Sequence, residues 1–402
     1  MSSRSQRIHE LISLAAGSDL SLATRRLMDV CDEYEDLWDL RSAAMQVRAD
    51  YNLGRELGAS ELTGDHANVM AQRVRSIVQA IVERSANTTI EKAPGPASVV
   101  HWSQDLTKRF SSGGHRFALG PIDVELRTGE ITGVVGENGN GKTTLLRQVA
   151  GLLDHDSGAI GYPEAEHSPY QRRSTIAWIP QRSQRWYGTL LQNLRFTAAV
   201  HGITGEANED RVMYTLHRLG LTRFKDLTWN QLSSGYKLRF ELARMVVWRP
   251  RILVLDEPIA NLDLQAQQLF LQDLKHLASS QRHPVTVILS SQQLHEIEAI
   301  ADRIIFLKDG KAVYNGPTKG FDHERSNNVF EIKGDLDRAR LIAAIGEVNV
   351  AAIDDTGLIL RLTTSRNITS KEVLKALAQA DIEVSYFRDI STSTRKLFHQ
   401  DT

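Results

Sequence analysis

The sequence lacks the features that mark secreted and membrane-spanning proteins. Its one cysteine, Cys31, cannot form a disulfide within the chain, which fits a reducing compartment. No run of apolar residues reaches the length of about 18 that a transmembrane helix needs, and the polar residues after Met1 do not form a signal peptide. We therefore expect a cytoplasmic protein, which reaches the inner face of the cell membrane only through a partner chain.

A strong net charge is also absent. The 48 basic and 49 acidic residues leave a formal net charge of −1, which excludes a global attraction to nucleic acid, so no nucleic-acid partner is expected. Hydrophobic residues make up 41% and charged residues 24%, as in ordinary globular proteins. A chain of 402 residues is long enough for two or three domains, each with its own core.

The first segment, residues 1–90, has the hydrophobic spacing of helices. Val74, Ile77, Val78 and Ile81 recur at three- and four-residue intervals, so they share one face of a helix. The pattern predicts an all-α bundle with short loops. Residues 91–98, which include the stretch KAPGPAS, predict a linker.

The two later segments combine strands with helices. Residues 99–320 alternate helical patterns with short apolar runs of the buried parallel-strand type, at Glu130–Val135, Ile252–Leu255, Val285–Leu289 and Ile304–Leu307. They predict an α/β domain with a mainly parallel sheet. Residues 325–402 show the order βαββαβ, which predicts a small ferredoxin-like α+β extension.

The stretch GENGNGKT matches the pattern G-x-x-x-x-G-K-[ST], whose glycines let the backbone turn tightly around phosphate oxygens. An apolar strand precedes it and a helical pattern follows, so backbone N–H groups and a helix N-terminus supply partial positive charge. Lys142 is expected to reach the β- and γ-phosphates, and Thr143 to ligate Mg²⁺. The predicted nucleotide-binding residues here are Gly136, Glu137, Asn138, Gly139, Asn140, Gly141, Lys142, Thr143 and Thr144.

The stretch RILVLDEP, residues 251–258, is an apolar strand that ends in two carboxylates. Two acids at a strand end are common in isolation, but here a phosphate loop precedes them. Asp256 is expected to hold Mg²⁺ through water, and Glu257 to orient or polarise the attacking water.

With these motifs, residues 99–316 resemble the nucleotide-binding domain of ABC ATPases. LSSGYK, residues 232–237, is similar to the family signature LSGGQ, which contacts the γ-phosphate bound by the opposite subunit. Ser233 and Gly235 match the signature. Ser234 carries a Cβ where the family has glycine, and Tyr236 replaces an amide side chain.

Three further positions match family motifs in the same order. The resemblance implies that Gln181 meets Mg²⁺ and couples to a transport partner, that Phe110 stacks on adenine, and that Asp263 in ANLD crosses the dimer interface. It implies ATP and Mg²⁺ as cofactors, and either a homodimer or a heterodimer with a second ABC ATPase. The implied fold is an α/β P-loop NTPase core with a helical signature subdomain.

The resemblance also narrows the class of ABC ATPase. The chain has one phosphate loop and no long coiled coil before the signature, unlike the paired translation factors and the DNA-repair members. The stretch SSQQLHEIEAIADRIIFLKDGKAVYNGP and the tail with DISTSTRKLF are similar to drug and polysaccharide exporter ATPases. An ATP-hydrolysing exporter subunit is therefore implied, which drives a separate membrane permease through residues 185–194.

The helical front supports a second hypothesis. Its stretches LISLAAGSDLSLATRRLMDV and ANVMAQRVRSIVQAIVE resemble bacterial effector-associated adaptor domains, which pair with like modules on other proteins. A soluble regulatory or defence ABC ATPase would use ATP-dependent dimerisation as a switch and residues 1–90 to recruit an effector. A helical extension that only packs on the ATPase is the alternative for this segment.

Gln292 stands where the family has a switch histidine. Glutamine can hydrogen-bond the γ-phosphate, but it cannot carry positive charge. Since Glu257, Lys142 and Thr143 are retained, the sequence predicts hydrolysis that is real but slow. The lost contact is expected to cost about 2–4 kcal/mol of transition-state stabilisation.

Overall fold

The computed structural model describes residues 4–389, apart from 18, 57–63, 86–97, 113–114, 164, 166–170, 173, 261, 281, 322–326, 335, 337, 356–358 and 366. The chain forms two compact units. The first unit contains residues 1–132 and 143–290, and the second contains residues 133–142 and 291–402. Except for Ser98, the predicted linker lies outside the described residues, as does the end of the tail, so the predicted domain boundaries stay predictions.

The first unit begins with four helices that confirm the predicted bundle. They are α1 (Arg4–Ala16), α2 (Leu20–Glu33), α3 (Trp38–Glu56) and α4 (Gly64–Ser85). Asp19 caps α2, because its side chain accepts a hydrogen bond from the Leu22 backbone N–H at 2.9 Å. Val74 and Ile81 are among the fully buried side chains of the bundle core, as their spacing predicts. No helix among the described residues is long and apolar enough to cross a membrane.

Two groups of strands follow in the first unit. In the first group, β1 (Val99–Ser112) pairs antiparallel with β2 (His115–Arg127) and with β4 (Ser157–Gly161). In the second, β6 (Ile252–Leu255) lies between β5 (Ile176–Ile179) and β7 (Thr286–Ser291), and both pairings are parallel. The chain passes from the first unit into the second within β3 (Ile131–Val135).

Helices of the first unit separate these strands. They are α5 (Lys142–Val149), α6 (Leu190–Val200), α7 (Gly205–Arg218), α8 (Ser234–Val246) and α9 (Leu264–Ala278). All four residues of β6 are buried, which is typical of a strand covered on both faces. Since β6 and β7 run parallel, their carboxyl ends share one edge, and residues 256, 257 and 290 emerge there together.

The second unit contains a helix, α10 (Leu294–Ile297), and a hairpin of β8 (Arg303–Lys308) and β9 (Lys311–Pro317). After α11 (Thr318–Phe321), the tail forms an antiparallel four-stranded sheet in the order β11-β12-β10-β13. Its elements are β10 (Asn327–Gly334), α12 (Arg338–Ile345), β11 (Val350–Asp355), β12 (Leu360–Ser365), α13 (Ser370–Gln379) and β13 (Val384–Asp389). Phe330, Leu362 and Val373 are fully buried in the core of this sheet and its helices.

Buried ion pairs join the helical bundle to later helices of the first unit. Asp29 on α2 accepts hydrogen bonds from Arg218 on α7, at 2.6 and 3.2 Å. Burial alone would raise the pKa of Asp29, but the charge and hydrogen bonds of Arg218 outweigh it and lower that pKa. Arg25 on α2 likewise donates to Asp273 on α9 at 2.6 Å.

Further contacts extend this boundary. Asp32 pairs with Arg249 at 2.9 Å, and Arg41 pairs with Asp210 at 2.6 Å. The ring of Tyr214, on α7, belongs to the hydrophobic core of the bundle. The bundle therefore packs directly on later helices of the first unit, because its charged side chains pair with charges on those helices and its apolar core includes a ring from one of them.

We predict that Asp29→Asn destabilises the protein by about 3–5 kcal/mol, because it leaves the Arg218 guanidinium buried without its carboxylate. Urea unfolding of the full chain measures this change in the free energy of unfolding. Glu209→Gln is the matched control, since it breaks the solvent-exposed pair with Arg195 and should cost less than about 1 kcal/mol. Equal effects of the two changes would contradict the prediction.

Candidate functional site

The predicted phosphate loop lies in the second unit, where its geometry follows from its glycines. Gly139 and Gly141 have φ values of +85° and +95°, which L side chains rarely adopt. A Cβ added at Gly136 would lie 2.5 Å from the carbonyl oxygen of Leu307, so only glycine fits this approach. Lys142 Nζ donates to the carbonyl oxygens of Gly136 and Glu137 at 2.8 and 3.1 Å, which holds the ammonium group over the loop.

The next residue, Thr143, lies in the first unit. Its hydroxyl lies 3.0 and 2.9 Å from the two carboxylate oxygens of Asp256 and hydrogen-bonds this carboxylate. Ser290 Oγ donates to Asp256 Oδ1 at 2.9 Å. Asp256 is buried, so these two hydroxyls fix its orientation.

Glu257 is held by its backbone and by its side chain. Its backbone N–H donates to Ser290 Oγ at 2.8 Å, and its Oε2 accepts from Gln181 Nε2 at 2.8 Å. Glu257 has φ = +44°, an uncommon conformation for a residue with a Cβ. Such strain persists where neighbouring contacts enforce it and is concentrated at functional sites.

The oxygen donors of this cluster fit Mg²⁺. Thr143 and Asp256 offer a hydroxyl and a carboxylate, and Gln181 adds an amide oxygen nearby through its contact with Glu257. Mg²⁺ in nucleotide sites takes one or two such ligands together with phosphate oxygens and water. Within the described ranges, no group of three or more His, Cys, Asp or Glu side chains lies close enough together to hold a metal ion.

The predicted signature lies at the N-terminus of α8. Ser233 is the N-cap of this helix and accepts from the Tyr236 backbone N–H at 3.4 Å. A Cβ added at Gly235 would lie 3.4 Å from Ala266 Cβ, so the signature approaches the first turn of α9 closely. Asp263 caps α9 by accepting from the Ala266 N–H at 2.9 Å. Ser234 is exposed.

The two remaining predicted residues are Phe110 and Gln292. Phe110, on β1, is 41% exposed, and its ring stacks on Phe117 with centroids 6.4 Å apart. It is thus available to a flat ring, and its role as an adenine platform stays a prediction. Gln292 lies in the second unit just after β7 and is half-buried.

Two contacts were missed by sequence reasoning. Ser290 bridges Asp256 and the Glu257 backbone, and its only signal was a polar residue near the end of the apolar strand VILSS. Tyr236 packs its ring on Phe224 with centroids 4.0 Å apart, and its hydroxyl accepts from Arg223 at 3.1 Å. This substitution in the signature therefore anchors the preceding loop.

Comparison with known proteins identifies the family. The family model described as ABC transporter matches residues 119–260. A probable sulfate/thiosulfate import ATP-binding protein of Chlorella vulgaris is 31% identical over 238 residues, which are 58% of this chain and 97% of that protein. The chain belongs to the ABC transporter ATP-binding proteins. Members of this family bind ATP with Mg²⁺ and are ATP-hydrolysing enzymes.

Other relatives share the ATP-binding domain, but their names refer to different kinds of transport. A probable multidrug ABC transporter ATP-binding protein of Escherichia coli is 30% identical over 229 residues, which cover 56% of this chain and only 39% of that relative. The solved structure of a subunit of a cbiONQ ABC transporter complex, from Clostridium perfringens, aligns with a TM-score of 0.51 at 25% identity. That alignment covers 56% of this chain and 91% of the solved chain. The α/β fold of this ABC ATPase is thereby established.

We predict that Ser290→Ala lowers ATP turnover by about tenfold while leaving ATP binding unchanged. The reason is that Asp256 and the Glu257 backbone lose the hydroxyl that orients both, a loss of about 1 kcal/mol or more. Steady-state turnover and nucleotide titration measure the two effects. Thr286→Val, at the other end of β7, removes a hydroxyl bonded to Arg127 O and serves as the control. Equal turnover in both variants would contradict a positioning role for Ser290.

Proposed function

We propose that this protein is the ATP-hydrolysing subunit of an ABC exporter and that it dimerises around two ATP molecules to drive a separate membrane permease. Each ATP would lie between the phosphate loop of one subunit and the signature of the other. The copies would be identical, or the partner would be a second ABC ATPase. As the chain spans 39% of its Escherichia coli relative, the activity, cargo and partners of that protein do not transfer directly.

The proposed chemistry assigns one task to each group. Lys142 and the N–H groups of the phosphate loop bind the β- and γ-phosphates, and Phe110 supports the adenine. Thr143 and Asp256 hold Mg²⁺, which neutralises charge on the phosphates when it is bound. Glu257 orients the attacking water and accepts its proton.

The observation that carries the proposal is the 2.8 Å hydrogen bond from Gln181 to Glu257. It connects the water-orienting carboxylate to the segment that follows Gln181, residues 182–194. A permease that moves this segment would change the position of Gln181 and with it the hydrolytic carboxylate. Transport and hydrolysis would then be coupled through one side-chain contact.

The same segment leads into an exposed apolar surface. Tyr187 is 84% exposed, and Phe196 and Val200, four residues apart on α6, are 70% and 61% exposed. Residues i and i+4 share one helix face, so the two apolar side chains form a patch. Exposed apolar surface of this kind marks protein interfaces, which supports docking of a permease here.

The C-terminal domain supports the exporter assignment. Its order βαββαβ and the antiparallel strand order β11-β12-β10-β13 support our proposal that it is a ferredoxin-like domain. We propose that it is the regulatory or dimerisation extension of drug and polysaccharide exporter ATPases. The relatives carry both import and multidrug names, so the direction of transport rests on this extension.

A second candidate function is favoured by the helical bundle. Its buried ion pairs reach α7 and α9 of the ATPase, so nucleotide-dependent movement of those helices would be transmitted to the bundle. The protein would then be a regulatory or defence ATPase whose dimerisation recruits an effector through residues 1–90. A neighbouring permease gene favours the exporter, whereas an effector gene with a related helical front favours the switch.

We predict that Glu257→Gln lowers ATP turnover by about 100- to 10,000-fold, because it removes the proton acceptor while preserving shape. ATP binding should persist, and the ATP-dependent dimer should accumulate in sedimentation velocity. Glu206→Gln, an exposed change in the first turn of α7, should alter neither property. A Glu257→Gln protein with wild-type turnover would refute this assignment.

We predict that Gln292→His raises turnover on the order of a hundredfold, because imidazolium restores a charged γ-phosphate contact worth about 2–4 kcal/mol. Phosphate release at saturating ATP and Mg²⁺ measures the rate. Gln293→His places the same side chain at the next, exposed position and should have no effect. If neither or both variants gain activity, position 292 does not act as the switch.

A further inference from the structure

A buried hydrogen bond joins the segment after Gln181 to the signature helix α8. Trp186 Nε1 donates to the carboxylate of Glu241 at 3.0 Å, and the two residues are 8% and 4% exposed. In the stretch 181–189, all of which the structure describes, Trp186 is the one buried residue. The indole is therefore the anchor of this stretch, and Glu241 is its polar partner. Glu241 lies in none of the motifs that the sequence identifies.

Aromatic rings of the signature region surround this indole. The Trp186 ring meets Trp229 edge-on with centroids 5.3 Å apart, and it lies 6.0 Å from the ring of Phe240, which is fully buried. Trp229 lies just before the signature, and Phe240 lies on α8 next to Glu241. The apolar contacts thus hold the body of the indole, and the carboxylate satisfies its N–H.

Two backbone hydrogen bonds attach the end of the segment to the loop before the signature. Leu190 N–H donates to Leu227 O at 3.1 Å, and Leu191 N–H donates to Lys225 O at 2.8 Å. These bonds fix the start of α6. Residues 182–185, which lead back to Gln181, are exposed or half-buried, so their position depends on the anchor that follows them.

The burial of the Glu241 carboxylate is unfavourable by itself. Arg244, one turn later on α8, donates to the same Oε1 at 2.9 Å, but the Arg244 side chain is 24% exposed. Burial raises the pKa of Glu241, although the charge of Arg244 and the hydrogen bonds from Arg244 and Trp186 act in the opposite direction. An apolar side chain would avoid this desolvation. The carboxylate at this place therefore points to its task as the acceptor for Trp186.

The hydrogen bond lies between two parts of the ATPase that act on nucleotide. Gln181, earlier in the same stretch, donates to Glu257 Oε2 at 2.8 Å. Glu241 lies about 12 Å along α8 from Ser233, the N-cap of this helix. Displacement of Trp186 would consequently reach both the hydrolytic carboxylate and the signature.

We propose that Glu241 is a positioning residue of this ATPase, which holds Trp186 and thereby couples the segment after Gln181 to the signature helix. The Glu257 carboxylate at one ATP and the signature at the ATP of the opposite subunit would then move together. Glu241 acts through Trp186 and not on the nucleotide. This inference deepens the proposed function and rests on it, since it assigns the coupling of the permease contact to one pair of side chains.

The first experiment measures ATP turnover and ATP affinity of the full chain. Trp186→Phe keeps the aromatic packing and removes the donor, whereas Glu241→Met keeps the side-chain length and removes the acceptor. Each should lower kcat by about tenfold or more with unchanged ATP affinity, because the displaced segment moves Gln181 and Glu257 out of position. Glu241→Gln keeps an oxygen acceptor for the indole and should stay within about threefold of the wild-type kcat.

A double variant distinguishes positioning from local destabilisation. If the two groups act through one hydrogen bond, Trp186→Phe combined with Glu241→Met should be no slower than either single variant. Trp102→Phe, the same change at an exposed position of β1, is the matched control and should leave turnover unchanged. Losses of turnover that multiply in the double variant would refute the positioning role, as would ATP affinity that falls in parallel with turnover.

The second experiment uses amide hydrogen exchange, which tests the anchor without ATP. We expect Trp186→Phe and Glu241→Met to speed exchange at residues 189–191 by at least about tenfold, because the start of α6 opens more often once its anchor is weakened. Strand β6 should keep its protection in both variants. Unchanged exchange at residues 189–191 would overturn the proposal, and faster exchange with wild-type turnover would show a structural contact and refute the positioning role.

The two experiments separate failure of this inference from failure of the proposed function. Neither ATP nor a permease takes part in the exchange measurement, so it is readable even in a chain that does not hydrolyse ATP. Conversely, wild-type turnover in Glu241→Met would refute the role of this residue and leave the ATPase assignment intact.

Discussion

The buried carboxylate of Asp273 is the constraint on which the arrangement of the first unit depends. It is fully buried on α9, and it pairs with Arg25 from the bundle and Arg239 from the signature helix. Moving a carboxylate from water into the protein interior costs on the order of several kcal/mol unless cations and hydrogen bonds compensate for the lost solvation. The bundle and α8 must therefore keep their positions around α9 for this charge to be tolerated. The N-cap of α9 is Asp263, the proposed dimer-interface residue.

A second hydrogen-bonded network organises the carboxyl ends of β6 and β7. Ser290 hydrogen-bonds the Asp256 carboxylate and the Glu257 backbone, while Gln181 holds the Glu257 side chain. The parallel pairing of β6 and β7 makes this possible, because it brings two strand ends to one edge. The positive φ of Glu257 is maintained by these contacts. Groups distant in sequence thus share one hydrogen-bonded cluster, and movement of the segment after Gln181 would reach all of them.

The sequence predicted helices and strands correctly where the hydrophobic periodicity and the motifs were both strong. The run Ile252–Leu255 is uniformly apolar, and the structure buries all of it as β6. The spacing of Val74, Val78 and Ile81 predicted one helix face, and these side chains lie in the bundle core. The sequence did not predict the ion pairs made by charged side chains of the bundle. Charged residues on an amphipathic helix are ordinarily assigned to its solvent-exposed face unless their partners are known. Arg25 and Asp273 are 248 positions apart in the chain.

The sequence by itself determined the phosphate loop, the two acids after β6 and the signature, because each is a local pattern whose residues act at fixed spacing. It also determined the departures at Ser234 and Gln292, which are visible as single letters. Only the tertiary structure decided that the helical bundle is joined to α7 and α9 by buried ion pairs. The physical reason is that burial and charge pairing depend on contacts between side chains far apart in the sequence. Local sequence patterns do not specify these contacts.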